Sequence, residues 1–310
     1  MLLKLRCLGD QKARVDKRAG RDRNPMNARN HIRTVGVVAM LLCLVAPTRA
    51  RAAGLSSNSP LDIGYRDMYN LQFEEAHQAF AAWEQQHPQD PMGPASDAAA
   101  YLFAEFNRLH VLEFELFTDD HRLTNQPKLT ADPEVRQAFE AQLAKTEQLA
   151  DAALQQNPRD ANALFAKALR LGLRGDYTAL IDKRYLAGLG YMKQGRTVAQ
   201  QLLAKDPSYY DAYLAIGVEN YLLSLKPAPI RWLLRLDGAE TDRAVGVQKL
   251  QIVAQKGHYL LPYARLLLAV AALRDNNREQ ARALLAGLAQ EFPRNHLYTE
   301  ELAQLEKPLH

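Results

Sequence analysis

The chain has 310 residues, with 39 Lys/Arg, 35 Asp/Glu and two cysteines. Twelve of the basic and three of the acidic residues fall in residues 1–52, which leaves 27 basic against 32 acidic beyond them, a net charge of −5. A mildly acidic body with no basic cluster excludes binding by phosphate neutralisation, so no nucleic-acid partner is expected. Cys7 and Cys43 also lie in the first 52 residues. The body is therefore expected to have neither disulfide nor thiol chemistry and to owe its stability to packing.

Val35–Ala46, VGVVAMLLCLVA, is an apolar run of 12 residues preceded by Arg29, His31 and Arg33 and followed by Pro47 and Ala50-Arg51-Ala52. A basic flank, a short apolar run and a small-residue site form the pattern of a secretory signal peptide; a bilayer span would need about 20 apolar residues. The expected signal is residues 26–52, cleaved after Ala52, which places the product in the periplasm or cell envelope. Because Met26 opens a leader of ordinary length, residues 1–25 are expected to be either a mis-assigned start of translation or a disordered extension. Leu42 stands where a lipoprotein signal needs a small residue, so Cys43 is not expected to carry lipid.

From Leu61 onward the apolar period is helical and no alternating β-branched run reads as a strand. Four loops repeat a theme: WEQQHPQDP around Pro88, ALQQNPRDA around Pro158, LLAKDPSYYDA around Pro207 and LAQEFPRNH around Pro293. Each closes a helix with proline and offers Asp, Asn or Ser to cap the next. Their spacings of 70, 49 and 86 residues suggest helix pairs, some carrying insertions. Thr118–Pro133 reads as the longest loop and as a point where residues 57–310 could subdivide.

These units resemble the tetratricopeptide repeat. The last has Leu268, Ala269, Ala281, Leu285, Leu288 and Pro293 in step, and the first has Gly64, Phe73, Ala76, Phe80, Trp83 and Pro88. Tyr213, Ile216 and Gly217 fit the first helix of a third unit; Ala168, the turn Arg174–Tyr177 and Gly195 belong to a distorted one between. The resemblance implies an all-α, TPR-like α-solenoid, a right-handed superhelix of antiparallel helix pairs, because one pair cannot bury both of its apolar faces and must stack on neighbours. A looser resemblance to the inclusion-body clearance and tetratricopeptide repeat 39 family rests on Ser224, Leu225, Pro227, Gly238, Asp242, Arg243 and Gly246. It implies a shared local structure.

The segment Pro227–Gly238, within LSLKPAPIRWLLRLDG, interrupts the third unit. Pro229 suits a first helical turn and Asp237-Gly238 a stop, giving a helix of about 10 Å. Arg231 and Arg235 share one stripe while Ile230, Trp232, Leu233, Leu234 and Leu236 cover the rest. Burying five such side chains contributes on the order of 8–15 kcal/mol as an upper bound, so a cover is expected. The cover is either the protein's own repeat array or, with Ile230, Trp232 and Leu233 as an apolar wedge, a membrane surface, apolar ligand or partner groove.

Motifs for Ser-nucleophile hydrolysis, zinc proteolysis, nucleotide binding and dinucleotide binding are missing from the sequence, so no enzyme, cofactor or metal is expected. Glu105, His110 and Glu113, and Asp119, Asp120 and His121, are read as solvated or hydrogen-bonded side chains, because the di-iron signature Glu-x-x-His is reversed and single. The resemblance implies that first helices line a concave groove; tyrosines there would grip a protein partner with area and a polar tip. Tyr209, Tyr213, Asn220 and Tyr221, with Arg170 and Arg174 nearby, are the expected contacts, Tyr213 the most buried of the tyrosines and Tyr209 and Tyr221 freer. Asp211, Leu214, Val218, Tyr221 and Leu222 occupy the positions where some chaperone-binding members carry a peptide-carboxylate clamp, so that specificity is not implied. The expected function is an exported, non-enzymatic scaffold for protein–protein interaction.

Overall fold

The computed structural model describes Leu55 and residues 58–111 and 129–306. The expected leader, Cys7, Cys43, Glu113, Asp119, Asp120, His121 and most of the Thr118–Pro133 stretch expected as a loop lie outside the described residues. Twelve α-helices and no strand occur among those described: α1 Pro60–Tyr69, α2 Phe73–Gln86, α3 Met92–Arg108, α4 Pro133–Gln156, α5 Ala161–Asp176, α6 Tyr185–Lys205, α7 Tyr213–Ser224, α8 Ala228–Leu236, α9 Arg243–Lys256, α10 Leu261–Arg274, α11 Arg278–Glu291 and α12 His296–Leu305. A π-helical turn, Tyr177–Ile181, follows α5, and a 3-10 turn, Tyr210–Ala212, precedes α7.

The expected punctuation is what ends and starts these helices. Pro88, Pro158, Pro207 and Pro293 each stand two residues beyond the ends of α2, α4, α6 and α11. Side-chain oxygens of Ser59, Asp132, Asp160, Asp242, Asn277 and Asn295 accept the first free N–H groups of α1, α4, α5, α9, α11 and α12. Such caps satisfy donors that a helix start otherwise leaves unpaired.

Packing follows chain order. Each helix lies against the next from α1 to α7, α7 then packs on α9 rather than α8, and the sequence continues through α12. This is an all-α, TPR-like stack of antiparallel helix pairs, in which the apolar faces of the helices other than α8 are largely covered by neighbours. Phe80, Phe139, Phe165, Leu202, Leu250 and Leu285 are fully buried along one continuous core.

The stack also closes on itself, where the sequence led us to expect an open concave groove. Tyr65 stacks on Tyr259 with centroids 4.7 Å apart, the Tyr69 hydroxyl donates to the Tyr259 carbonyl at 2.9 Å, and His258 Nε2 lies 2.7 Å from Asp62 Oδ1. Asn295 Nδ2 donates to the Tyr69 carbonyl at 2.9 Å and the Arg294 N–H to Asn70 Oδ1 at 3.1 Å. Asp211, just before α7, accepts from the N–H groups of His258, Tyr259 and Leu260 at 3.0–3.2 Å and fixes the loop that α1 meets. The inner side of α1 is thus covered by the protein's own loops.

Asp176 is expected to give the fold a pH dependence. Asp176, where α5 meets the π-helical turn, has its carboxyl pushed up to about 7 by burial, against about 3.9 for the unfolded chain. Between pH 4 and 7 the native state holds a proton that the unfolded chain has released, so stability falls as pH rises through that window. Asp176 is half-buried by surface; after discounting for solvent, Asp176→Asn is expected to gain about 1–2 kcal/mol at pH 8 and little at pH 4 in urea unfolding. Equal losses at both pH values would show that the carboxyl has a native partner instead.

Candidate docking face

The segment that interrupts the third unit forms α8, and both of its ends are set locally. Pro227 is extended, at φ −55° and ψ 150°, and a proline occupies the first turn of the helix. At the far end Gly238 adopts φ +77°. The Gly238 N–H donates to the Arg235 carbonyl at 3.0 Å and the Ala239 N–H to the Leu234 carbonyl at 3.0 Å. This is a Schellman stop, which requires a left-handed residue that glycine supplies without strain.

The orientation of α8 is the reverse of the folded-back cover considered from sequence. Arg231 Nη1 donates to the Lys226 carbonyl at 2.8 Å, and Arg235 Nε donates to Thr241 Oγ1 at 2.6 Å. These bonds hold the arginine stripe toward the stem, and none of the helix residues is buried. Ile230 is 47% exposed, Trp232 65%, Leu233 62% and Leu236 66%. The expectation that the repeat array covers these side chains is therefore corrected: the apolar side chains face solvent, while the arginines find acceptors beside the ends of the helix, at backbone carbonyls and a threonine hydroxyl.

A polar clamp fastens the helix to the stack. Lys193 Nζ donates to Asp237 Oδ2 at 2.7 Å, and Arg196 donates to the Gly238 carbonyl at 2.9 Å and to Glu240 Oε1 at 2.6 Å. Asn220 Nδ2 and Gln200 Nε2 reach the same Glu240 carboxylate at 2.7 and 3.0 Å. The Glu240 N–H donates to Glu219 Oε1 at 3.1 Å, the Asp242 N–H donates to Asn220 Oδ1 at 2.9 Å, and Arg196 Nε lies 3.0 Å from Glu219 Oε2. Burial opposes ionisation of Glu240, but Asn220, Arg196 and Gln200 outweigh it and its carboxyl sits below the usual range. For Glu219 burial wins over Arg196 and the Glu240 N–H, and its carboxyl is raised.

Between α8 and the stack lies a groove of about 780 Å³. Leu171, Leu186, Leu189, Leu223 and Leu234 give it an apolar lining, and Glu147, Lys167, Arg170, Lys193, Glu219 and Asp237 give it charge. Leu186, at the start of α6, is 85% exposed. Sequence reasoning did not single it out, since a leucine at a helix start looks like any core leucine; neighbouring Gly188 and Gly190, which thin this part of α6, were the available signal.

The tyrosine face expected from sequence is dispersed. Asn220 and Tyr221 are only 1% and 2% exposed. Asn220 belongs to the clamp, and Tyr221 is pinned under α9 with Arg243 5.7 Å above its ring, so both are shut off from solvent. Tyr209 is half-buried with its ring 4.9 Å from Phe165, and Tyr213 is half-buried as well, its hydroxyl donating to the Pro207 carbonyl at 3.2 Å. The order of burial expected for Tyr213 and Tyr221 is thus inverted. Arg170 pairs with Glu147 at 2.5 Å and reaches the groove, whereas Arg174 is engaged by Glu140.

Of the acidic residues considered for metal, Glu105 is buried and accepts from Arg108 at 2.7 and 2.8 Å and from the Asp132 N–H at 2.8 Å. Among the described residues no group of three or more His, Cys, Asp or Glu could hold a metal ion, and no helix is long and apolar enough to cross a membrane.

The class of protein is set by the packing order of its helices, a TPR-like helical stack. The chain matches no family model and no curated protein. Among solved structures it is similar to a thermophilic TPR protein of Thermus thermophilus, with 15% identity over 79% of this chain and 96% of that one, at a TM-score of 0.42. The resemblance to the inclusion-body clearance and tetratricopeptide repeat 39 family finds no support in these comparisons.

Proposed function

We propose that the protein is an exported, non-enzymatic scaffold of the periplasm or cell envelope that binds another polypeptide through the outward face of α8 and the groove beside it. The observation that carries this reading is the orientation of α8: two arginines and a five-residue clamp hold an apolar ridge in solvent, where it costs stability unless something covers it. Export rests on the leader pattern around Val35–Ala46, and N-terminal sequencing of the protein recovered from the cell envelope tests it. Trp232→Glu is expected to reduce partner binding at least tenfold, since exposed tryptophans at a ridge are typical hot spots, while leaving the melting temperature within a degree or two. A folded Trp232→Glu variant that binds its partners undiminished would overturn the reading.

A lipid surface is the second reading, favoured by Trp232 and three aliphatic side chains on one short helix. Flotation with neutral and anionic vesicles separates the two. Trp232-dependent flotation supports lipid contact, and no flotation removes it.

A further inference from the structure

We infer that the polypeptide docking on α8 is acidic, an amphipathic segment whose apolar stripe lies in the groove and whose carboxylates meet a cationic border. The inference rests on reading α8 as a docking face and names the chemistry of what docks there.

Two short stretches border the groove: residues 183–186, which lead into α6, and residues 226–236, which include α8. Leu186 of the first and Leu234 of the second both line it. Among the described residues, every large hydrophobic side chain that is exposed lies on these two stretches, apart from Leu222 near the end of α7. Together the stretches carry five cations, Lys183, Arg184, Lys226, Arg231 and Arg235, and no Asp or Glu. Among the described residues none of the five has a carboxylate at salt-bridge distance. Arg231 and Arg235 are held by carbonyls and a hydroxyl, which satisfy their donors and leave their charge standing.

The charges lining the groove itself are neutralised within the chain. Lys167 pairs with Asp151, Arg170 with Glu147, Lys193 with Asp237 and Glu219 with Arg196. The uncompensated charge therefore sits on the border, and it is positive, on a body whose residues 53–310 sum to −5. A local field of that sign attracts carboxylates and rejects a basic partner.

The recess favours a polypeptide over an anionic bilayer. Its lining includes Leu171 and Leu223, only 5% and 3% exposed. A segment of chain entering the groove reaches such a floor, whereas a bilayer plane meets the two borders alone.

The test is fluorescence anisotropy of labelled synthetic peptides titrated with the purified full chain. The probe is a peptide of about 14 residues with Leu at i, i+3, i+4 and i+7 and Glu at the polar positions, beside one twin with Gln and one with Lys in place of Glu. At low salt the Glu peptide is expected to bind at least about tenfold more tightly than the Gln twin, a gap that closes near 1 M salt, where the Debye length is about 3 Å. Arg184 and Lys226 are exposed, and their side chains make no hydrogen bond or ion pair among the described residues. Arg184→Glu and Lys226→Glu are each expected to weaken the Glu peptide roughly three- to tenfold and to leave the Gln twin unchanged. Equal affinities for the Glu and Gln peptides, or tighter binding of the Lys twin, overturn the inference, and the docking face still stands if Trp232→Glu abolishes both. Binding indifferent to Trp232→Glu overturns the docking face as well. No binding of the Glu peptide also overturns the inference; Trp232-dependent flotation with phosphatidylglycerol vesicles then assigns the face to lipid, and twice the protomer mass in light scattering assigns it to a second copy.

Discussion

Arg196→Met is expected to lower the free energy of unfolding by about 3–5 kcal/mol, because it strands a buried carboxylate. Glu219 on α7 is fully buried, and the guanidinium of Arg196, itself largely covered, is the cation beside it. Methionine retains most of the arginine stem, so the packing loss is small and the electrostatic loss is isolated. With the larger of its two counter-charges gone and Lys193 left, the carboxyl of Glu219 rises further above the unfolded value, and the native state keeps a proton that the unfolded chain gives up near pH 4.3. The penalty is therefore smaller at pH 5 than at pH 8. Urea unfolding of Arg196→Met at the two pH values measures it, and Arg196→Met with Glu219→Gln is expected to restore much of the loss at pH 8. A change below about 1 kcal/mol at pH 8 would mean that solvent already screens the pair. Because the same arginine holds the Gly238 carbonyl and Glu240, the variant also loosens the C-terminal anchor of α8.

That anchor shows where sequence reading stops. Helix ends were legible at the prolines after α2, α4, α6 and α11 and at the capping Asp and Asn residues, since a missing N–H and a short acceptor act within four residues. Pair contacts such as Gly64 under Phe80 were legible too, through small and large residues at fixed offsets. The orientation of α8 was not. Its apolar residues predicted a cover, but the direction it faces depends, beyond the short-range bonds of Arg231 and Arg235, on the anchor after it, where Arg196 meets Glu240 and Glu219, 44 and 23 positions away, and no periodicity marks such a pair. The same holds for α1 closing on the loops at Tyr259 and Asn295, whose contacts span about 190 residues or more. Asn220 and Tyr221 were misplaced for a related reason. They lie on a first helix, where an open groove was expected, yet Asn220 is tied to the chain after α8 and α9 comes close enough to bury Tyr221.

Why α9 comes so close can be tested at one residue. A Cβ on Gly246 would fall 2.5 Å from the Tyr221 nitrogen, 2.9 Å from its Cα and 3.0 Å from its Cβ. None of these atoms can move by a rotamer change, so a side chain at 246 must push α7 and α9 apart. On helix propensity alone Gly→Ala gains up to about 1 kcal/mol. At Gly246 the clash should reverse that sign, with Gly246→Ala costing about 2 kcal/mol and Gly246→Val about 3 kcal/mol or more, at the upper end for overpacked cores. Gly287 on α11 is the internal control: nothing lies within 4 Å of its missing Cβ, so Gly287→Ala is expected to stabilise. Opposite signs for the two alanine variants in urea unfolding are the expected result, and a gain at both positions would show that the α7–α9 contact is looser than described. The effect should reach the docking face, because Tyr221–Ser224 is the stem from which α8 departs and the Ser224 carbonyl lies 3.4 Å from Arg231 Nη1. Displacing that stem weakens the bonds that turn the apolar ridge outward, so Gly246→Val is expected to lose binding through Trp232 even at temperatures where the stack remains folded.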